Sequence, residues 1–271
     1  NFLLATTTNN DVIQNNNIIT NYGKIVNNKT VTNILGTLTN YNLVDNKVNG
    51  TIENKKTFIN KKLSSTNSDN VNLTGILPTI QNTGTFVNDL GTLTNNGKIN
   101  NNVTTGVFTN DKVILNDSYG VINNHNSWTN TGTITNKKEI YNKANGTINN
   151  DSTITNEGTI TLEGNSIYNN RSQSSLSNTG TVNNNTNSVY NNKDSSILNN
   201  NTGGTYNNKG TLLVEFSSIF NNKADYNNLI NGSDSSVMNI YGTINNNLDN
   251  TDSGTIVNNG LIYFKRNGAD L

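Results

Sequence analysis

The sequence predicts an all-β fold, a parallel β-solenoid in which three short strands form each coil of about 20 residues. The first observation is a phrase of about five residues, such as GTITN at 132–136, that returns mostly every six to eight residues. The second is composition, because 66 of the 271 residues are asparagine while only 31% are hydrophobic. Many short strands, each burying one apolar residue and ending in asparagine, account for both observations.

Each phrase predicts a strand followed by a turn, because Thr, Ile, Val and Tyr favour extended backbone while Gly and Asn favour turns. In the first half the phrases are GKIVNN (23–28), GTLTN (36–40), GTIEN (50–54), GTFVN (84–88), GTLTN (91–95), GVFTN (106–110) and GVINN (120–124). In the second half they are GTITN (132–136), EIYN (139–142), GTINN (146–150), STITN (152–156), GTVNN (180–184), SVYNN (188–192), SILNN (196–200), GTYNN (204–208), SIFNN (218–222), GTINN (242–246) and GTIVNN (254–259). Hairpins need more even strands and a fixed turn type, so a coil is favoured over an antiparallel meander.

Alternation along each strand places the central apolar residue, for example Ile148 or Ile154, on the inner face and its threonine neighbours on the outer face. Equivalent strands then stack about 4.8 Å apart, with asparagine on asparagine. We expect these amides to lie at inward corners and to bond both the backbone and the asparagine of the next coil. The predicted ladder comprises Asn136, Asn142, Asn149, Asn156, Asn183, Asn191, Asn199, Asn207, Asn245 and Asn258.

One solenoid is predicted over residues 1–271, with one interruption. Residues 61–80 lack the phrase and contain the single proline, Pro78, so we interpret them as an irregular excursion or loop. The other interpretation, a boundary between two units, is the weaker one. Residues 1–8 are interpreted as a terminal strand that pairs with a neighbouring subunit.

Composition excludes several classes of protein. Eighteen basic and eighteen acidic residues give zero net charge, which argues against a nucleic-acid partner. Residues 1–150 hold 12 lysines and 8 acidic residues, whereas residues 151–271 hold 6 basic and 10 acidic residues. The absence of cysteine excludes disulfides and thiolate metal sites. No apolar run reaches the ~20 residues of a membrane span, and the first residue, Asn1, suggests an exported product or a fragment.

No catalytic pattern emerges, and we expect neither an enzyme nor a cofactor or metal. A glycosidase needs two carboxylates about 5–10 Å apart on one face. The candidate pairs are Asp111 with Asp117, Glu157 with Glu163, and Asp249 with Asp252. All fall at turns without clustered aromatic or arginine residues, so they are interpreted as solvated turn residues.

Three further patterns in the sequence carry weaker signals. The single histidine, His125, marks with Trp128 either a small recognition patch or, as we favour, an ordinary surface turn. DNTDSG (249–254) is similar to the start of a calcium loop but lacks the glutamate near its twelfth position. Thr-x-Thr triplets, which ice-binding solenoids display in ranks, begin at residues 37, 92, 133, 153 and 159. Only the step from 133 to 153 matches a coil length, so we ascribe the triplets to strand propensity.

The repeated GTITN, GTINN and GTVNN phrases resemble the β-helical repeats of microbial surface proteins. These include haemagglutinin-type and autotransporter-like adhesins and the adhesin-like or surface-layer proteins of archaea. The resemblance covers nearly the whole chain except residues 61–80. It implies an extracellular structural or adhesive role, and it transfers no catalytic residue.

The sequence thus predicts a subunit of an extracellular filament or fibre, with other copies of the chain as its partners and no membrane span. Solenoid ends carry unpaired backbone groups that template further strands, and a basic first half would meet an acidic second half. The predicted joining surfaces contain Phe2, Leu3, Leu4, Lys24, Lys29, Asp249, Asp252, Tyr263 and Phe264. An adhesin stalk or a glycan-binding surface is the alternative, and a polysaccharide-active enzyme is the third.

Overall fold

The computed structural model describes residues 2–3, 6–61, 77–102, 105–201, 203–215 and 217–222, and the backbone of five further strands within 225–264. These residues form 36 strands and no helix, which confirms the all-β prediction. They divide into two compact units, residues 1–128 with 132–138, and residues 129–131 with 139–271.

In the first unit the chain passes through three parallel sheets in turn. Sheet A contains, in spatial order, β1 (Phe2–Leu3), β4 (Ile18–Asn21), β7 (Thr37–Asn40), β10 (Thr57–Asn60), β13 (Thr92–Asn95), β16 (Val113–Asn116) and β19 (Thr133–Asn136). Sheet B contains β2 (Thr6–Asn9), β5 (Lys24–Asn27), β8 (Leu43–Asn46), β11 (Thr79–Asn82), β14 (Lys98–Asn101) and β17 (Val121–Asn124). Sheet C contains β3 (Val12–Asn15), β6 (Thr30–Asn33), β9 (Thr51–Asn54), β12 (Thr85–Asn88) and β15 (Val107–Asn110).

The strands of the second unit follow the same path through three parallel sheets, whose parts within this unit are called sheets D, E and F, and β18 (Ser127–Asn130) has residues in both units. Sheet D contains β22 (Thr153–Asn156), β25 (Ser175–Asn178), β28 (Ile197–Asn200), β31 (Ile219–Asn222) and β34 (Thr243–Asn246). Sheet E contains β20 (Glu139–Asn142), β23 (Thr159–Leu162), β26 (Thr181–Asn184), β29 (Thr205–Asn208), β32 (Asp225–Asn228) and β35 (Thr255–Asn258). Sheet F contains β21 (Thr147–Asn150), β24 (Ile167–Asn170), β27 (Val189–Asn192), β30 (Thr211–Val214), β33 (Val237–Ile240) and β36 (Leu261–Phe264).

Three consecutive strands, one in each sheet, make one coil, as the sequence predicts. Equivalent residues of neighbouring coils are close to 20 positions apart, as for Asn40 and Asn60. The step from Asn60 to Asn95 is instead 35 residues, because the predicted excursion lies between β10 and β11. The excursion ends earlier than predicted, since Thr79 and Ile80 belong to β11 and pair with Leu43 and Val44. Residues 62–76 lie outside the described part of the chain.

The first residues of the chain pair with the chain itself. Phe2 and Thr6 lie in register with Thr20 and Lys24 of the following coil, in parallel strands. The predicted terminal strand therefore uses one of its two edges within its own chain.

One inward apolar residue in most strands builds the core, and β23 and β30 add a second, Leu162 and Val214. The second residue of most strands is apolar and buried, and the first and third residues point outward, as alternation requires. In the first unit Phe86, Phe108 and Trp128 form a column through successive coils, with ring centroids 5.2 and 5.3 Å apart, the first pair edge to face and the second tilted. Large aromatic rings at this position bury a large apolar area between the three sheets.

The glycine that opens many phrases is explained by close packing at the corners. A Cβ on Gly84 would lie 2.1 Å from the carbonyl oxygen of Gly50, and one on Gly180 would lie 2.1 Å from that of Gly158. Successive coils approach each other at these corners so closely that no side chain fits between them.

The second unit has tyrosines at the same inward position. Tyr168 and Tyr190 stack with ring centroids 4.6 Å apart and are fully buried. Burial raises the pKa of both phenols well above the ordinary value of 10.0, because the interior disfavours the phenolate.

These tyrosines predict a loss of stability in alkali. Both phenols stay protonated in the folded chain, whereas in the unfolded chain they ionise near pH 10.0. The free energy of unfolding is therefore expected to fall as the pH rises above about 10. Urea unfolding between about pH 8 and about pH 11 measures it. In the Tyr168→Phe, Tyr190→Phe double variant the free energy of unfolding should decrease less with pH. An equal decrease would show that these two phenols are not its cause.

Candidate functional site

Asparagines at the fourth position of the strands line the inward corners of the first unit, where they form three ladders. Each ladder asparagine is buried, and its Nδ2 donates to Oδ1 of the next asparagine at 2.7–2.8 Å. The sheet A ladder is Asn21, Asn40, Asn60, Asn95, Asn116 and Asn136. The sheet B ladder is Asn9, Asn27, Asn46, Asn82, Asn101 and Asn124. The sheet C ladder is Asn15, Asn33, Asn54, Asn88 and Asn110.

The second unit has the same inner ladders. One runs through sheet D along Asn156, Asn178, Asn200 and Asn222, with Nδ2 to Oδ1 distances of 2.7–2.9 Å. Another runs from Asn130 into sheet F along Asn150, Asn170 and Asn192, also at 2.7–2.9 Å. In sheet E, Asn184 donates to Asn208 at 2.7 Å.

The ladder amides also hydrogen-bond the backbone of the next coil at its turns. Nδ2 of Asn33 donates to Oδ1 of Asn54 at the end of β9 and to the backbone carbonyl of Thr57 at the start of β10, both at 2.8 Å. One side chain thus bonds both sides of one turn. Buried turns leave backbone groups without partners, and an amide, which both donates and accepts, satisfies them.

All the inner ladders have one direction. Every ladder Nδ2 donates to the coil that follows in the chain, and every Oδ1 faces the coil that precedes. Each coil therefore offers acceptors on its N-terminal side and donors on its C-terminal side. This polarity is shared by the three sheets of each unit.

The predicted ladder residues fall into two groups. Asn136, Asn142 and Asn156 are buried at the fourth position, as expected. Five others lie one position too early, at the half-buried third position on the outer face: Asn149, Asn183, Asn191, Asn199 and Asn207. In phrases ending in Asn-Asn only the second asparagine shares the face of the apolar residue, because two positions separate them. By register, Asn245 is at the third position and Asn258 at the fourth.

The third-position asparagines form a second, outer ladder that sequence reasoning missed. Asn169 donates to Asn149 and Asn191 donates to Asn169, at 2.9 and 2.8 Å. These amides donate toward the preceding coil, opposite to the inner ladder. The doubled Asn-Asn ending was the signal for it, since adjacent positions must point to opposite faces.

The inner ladder is interrupted where leucine replaces asparagine. Leu162 lies in register between Asn142 and Asn184, and Leu3 precedes Asn21. Within the described residues, Oδ1 of Asn184 and Oδ1 of Asn21 are buried and accept no hydrogen bond. Each orphaned oxygen follows from the leucine before it, which has no amide to donate.

Replacing Leu162 tests this explanation. The Leu162→Asn variant should supply the missing donor to Asn184, while Leu162→Ala removes the same apolar bulk without supplying one. We expect Leu162→Asn to be the more stable by about 1 kcal/mol, the net value of a typical hydrogen bond. Urea unfolding of the two variants gives the difference, and a Leu162→Asn variant less stable than Leu162→Ala would contradict the explanation.

The structure describes some of the predicted joining residues and not others. Phe2 and Leu3 form β1, and Tyr263 and Phe264 end β36, the outermost described strands of sheets A and F. Lys24 is partly neutralised, because its Nζ lies 3.3 Å from a carboxylate oxygen of Asp45. Lys29 is exposed at a corner. Leu4, Asp249 and Asp252 lie outside the described residues.

Comparisons of the chain with protein-family models, with curated proteins and with solved structures give no match. Among the described residues there is no helix long and apolar enough to span a membrane.

The acidic and histidine candidates lie at separate corners. Asp111 and Asp117 flank β16, and Glu157 and Glu163 flank β23. A four-residue strand spans about 13 Å, more than the ~10 Å that paired glycosidase carboxylates require. Trp128 is buried in the core and offers no surface beside His125. The described residues contain no group of three or more potential metal ligands among His, Cys, Asp and Glu.

Proposed function

We propose that this protein is a structural subunit of an extracellular filament or fibre, in which copies join head to tail through their coils. The observation that carries the proposal is the common direction of the inner ladders. The donor side of one coil is complementary to the acceptor side of another, so two copies match head to tail. Two identical ends, both donors or both acceptors, do not match. Contacts of this heterologous kind propagate without closing.

Backbone geometry at the first coil supports this mode of joining. The carbonyls of Asn9 and Asn15 accept hydrogen bonds from Asn28 and Ile34 of the next coil, both at 2.9 Å. Because successive residues of a strand direct their backbone groups to opposite sides, those of Thr8 and Gln14 face away from that coil. Strand edges of this kind pair with further strands.

Charge supports joining only weakly. Zero net charge removes the overall repulsion between copies. The charge of Lys24, however, is partly neutralised within its own chain by Asp45, a carboxylate that it shares with Lys47. We therefore assign the joining energy to backbone pairing and ladder amides, with a minor contribution from the unequal charge of the two halves.

A second candidate function is an adhesin stalk that binds glycans, and the outer ladder favours it. Asn149, Asn169 and Asn191 present uncharged amides in a regular row on the outer face of sheet F. Amide rows match the hydroxyl groups of extended polysaccharides, which both donate and accept hydrogen bonds.

Electron microscopy and sedimentation velocity of the chain of residues 1–271, across concentration and at low and high salt, test the proposal. We expect filaments whose formation depends on concentration and only weakly on salt. The Thr8→Pro, Gln14→Pro variant removes two edge N–H groups and should stay monomeric with its fold intact. The matched Thr8→Ala, Gln14→Ala variant keeps both N–H groups and should assemble. Single molecules at every concentration would leave the stalk as the function.

A further inference from the structure

Three Thr-x-Thr triplets of the first unit, irregularly spaced in the sequence, lie in one sheet, whereas Thr30-Val31-Thr32 lies in sheet C. Those at Thr37, Thr92 and Thr133 begin β7, β13 and β19 of sheet A. The sequence does not show that these triplets are evenly spaced in coils, because the excursion between β10 and β11 lengthens one coil step to 35 residues. The three triplets thus share one sheet at every second coil, with β10 and β16 between them.

Two in-register ranks form the outer face of this sheet. The first rank joins Thr37, Thr57, Thr92, Val113 and Thr133, each paired with the next. The second rank joins Thr39, Ile59, Thr94, Leu115 and Thr135 in the same way. Ile18 and Thr20 of β4 extend both ranks by one strand. We call these twelve residues the threonine face.

The threonine face is distinct in its chemistry. All twelve residues are Thr, Ile, Val or Leu, and none is charged or aromatic. The outer faces of the other two sheets carry charge, for example Lys24, Asp45 and Lys98 in sheet B and Glu53 in sheet C. Ile18 is 57% exposed, and Thr92 and Thr133 are also exposed.

The hydroxyl groups of this face are ordered and available. None of its threonine hydroxyls makes a hydrogen bond within the described part of the protein. Threonine is β-branched and restricted about χ1, so each hydroxyl and methyl holds a fixed direction on the strand. Hydroxyls on adjacent strands, such as those of Thr37 and Thr57, are then about 4.8 Å apart, and those within one strand are about 6.6 Å apart. Where an aliphatic residue intervenes, as Leu115 does between Thr94 and Thr135, the spacing across strands is about 9.6 Å.

We propose that the threonine face binds the surface of ice. Ice presents an uncharged lattice of water molecules that donate and accept hydrogen bonds at regular intervals, with open space between them for methyl groups. A regular, charge-free array of hydroxyl and methyl groups matches this lattice and loses little entropy on binding, because its side chains are already ordered. The face lacks the Trp, Tyr and Arg anchors of protein interfaces, and charged side chains, which hold disordered hydration, are absent from it.

Ladders along the inner side support the array. Sheets that stack with identical side-chain ladders stay flatter than ordinary twisted sheets. The ladder from Asn21 to Asn136 runs along the inner corner of the same six strands, β4 to β19. It keeps the outer threonines in register from strand to strand.

The test compares one substitution on the face with the same substitution elsewhere in the same coil. Thr94→Lys places a charge in the centre of the threonine face. Thr109→Lys places the same charge on sheet C, at the equivalent half-buried third position of β15. Thermal hysteresis and incorporation into a growing ice hemisphere are measured for the full chain, with a globular protein of similar mass as the blank. Circular dichroism checks that both variants are folded.

The wild-type chain and Thr109→Lys should enter ice and show hysteresis, while Thr94→Lys should fall to the level of the blank. A wild-type chain no different from the blank overturns the proposal, as does equal loss in both variants. Dimers that only Thr94→Lys abolishes, without ice activity, would show that a second copy covers the face. The Thr8→Pro, Gln14→Pro variant should keep ice binding, which separates this proposal from filament formation.

Discussion

Replacing Asn150 with alanine is expected to destabilise the second unit by about 3 kcal/mol or more. Its Nδ2 donates to Oδ1 of Asn170 at 2.8 Å and to the backbone carbonyls of Ser152 and Ser175 at 3.0 and 3.2 Å. Its Oδ1 accepts from Asn130 at 2.7 Å. Alanine leaves several buried polar groups without partners, and each costs about 1–3 kcal/mol. Urea unfolding followed by circular dichroism gives the loss.

The adjacent residue supplies the matched control. Asn149 is half-buried on the outer face, and the ladder bond from Asn169 to its Oδ1 measures 2.9 Å. Water replaces that bond in Asn149→Ala, so the change should stay within about 1 kcal/mol. If both variants lost the same free energy of unfolding, burial would not explain the contribution of the inner ladder to stability.

Replacing Phe108 with alanine should cost about 3–5 kcal/mol, the usual range for deleting a fully buried aromatic ring. Its ring centroid lies 5.2 Å from that of Phe86 and 5.3 Å from that of Trp128, and the side chain is 1% exposed. Three strands per coil leave no layer behind the ring that could collapse into the cavity. Because Trp128 is the only tryptophan, its fluorescence reports unfolding of this region directly.

Val107 provides the comparison for the aromatic stack. It precedes Phe108 in β15 and is 39% exposed on the outer face. Val107→Ala should cost about 1 kcal/mol or less, mainly through strand propensity. If Phe108→Ala were as mild as Val107→Ala, the aromatic column would not be a principal source of stability.

The strands themselves could be predicted from the sequence because each carries its signal locally. GTITN at 132–136 contains the glycine of the corner, the apolar residue of the core and the asparagine of the ladder. The phrase predicts strand, turn and inward residue without reference to the rest of the chain. Three strands per coil follow from the repeat length together with the coil length that is typical of β-solenoids.

The sequence prediction of inward residues is wrong where a strand ends in two asparagines. The ending Asn149-Asn150 offers two asparagines, and the face of each is fixed only by counting from the buried Ile148. TIQN at 79–82 follows Pro78, and its first two residues fall within the predicted excursion of residues 61–80, although its register with β8 makes it an ordinary strand.

The sequence by itself determined the all-β class, the coil of three strands and the presence of asparagine ladders at the corners, because those depend on residues adjacent in the chain. The tertiary structure alone decided which residues share a face across coils. It placed Thr57 beside Thr92, aligned the inner amides in one direction and left Asn184 without a donor behind Leu162. Register between coils depends on the length of every intervening loop, and an excursion such as residues 62–76 changes the sequence spacing without changing the neighbours in space.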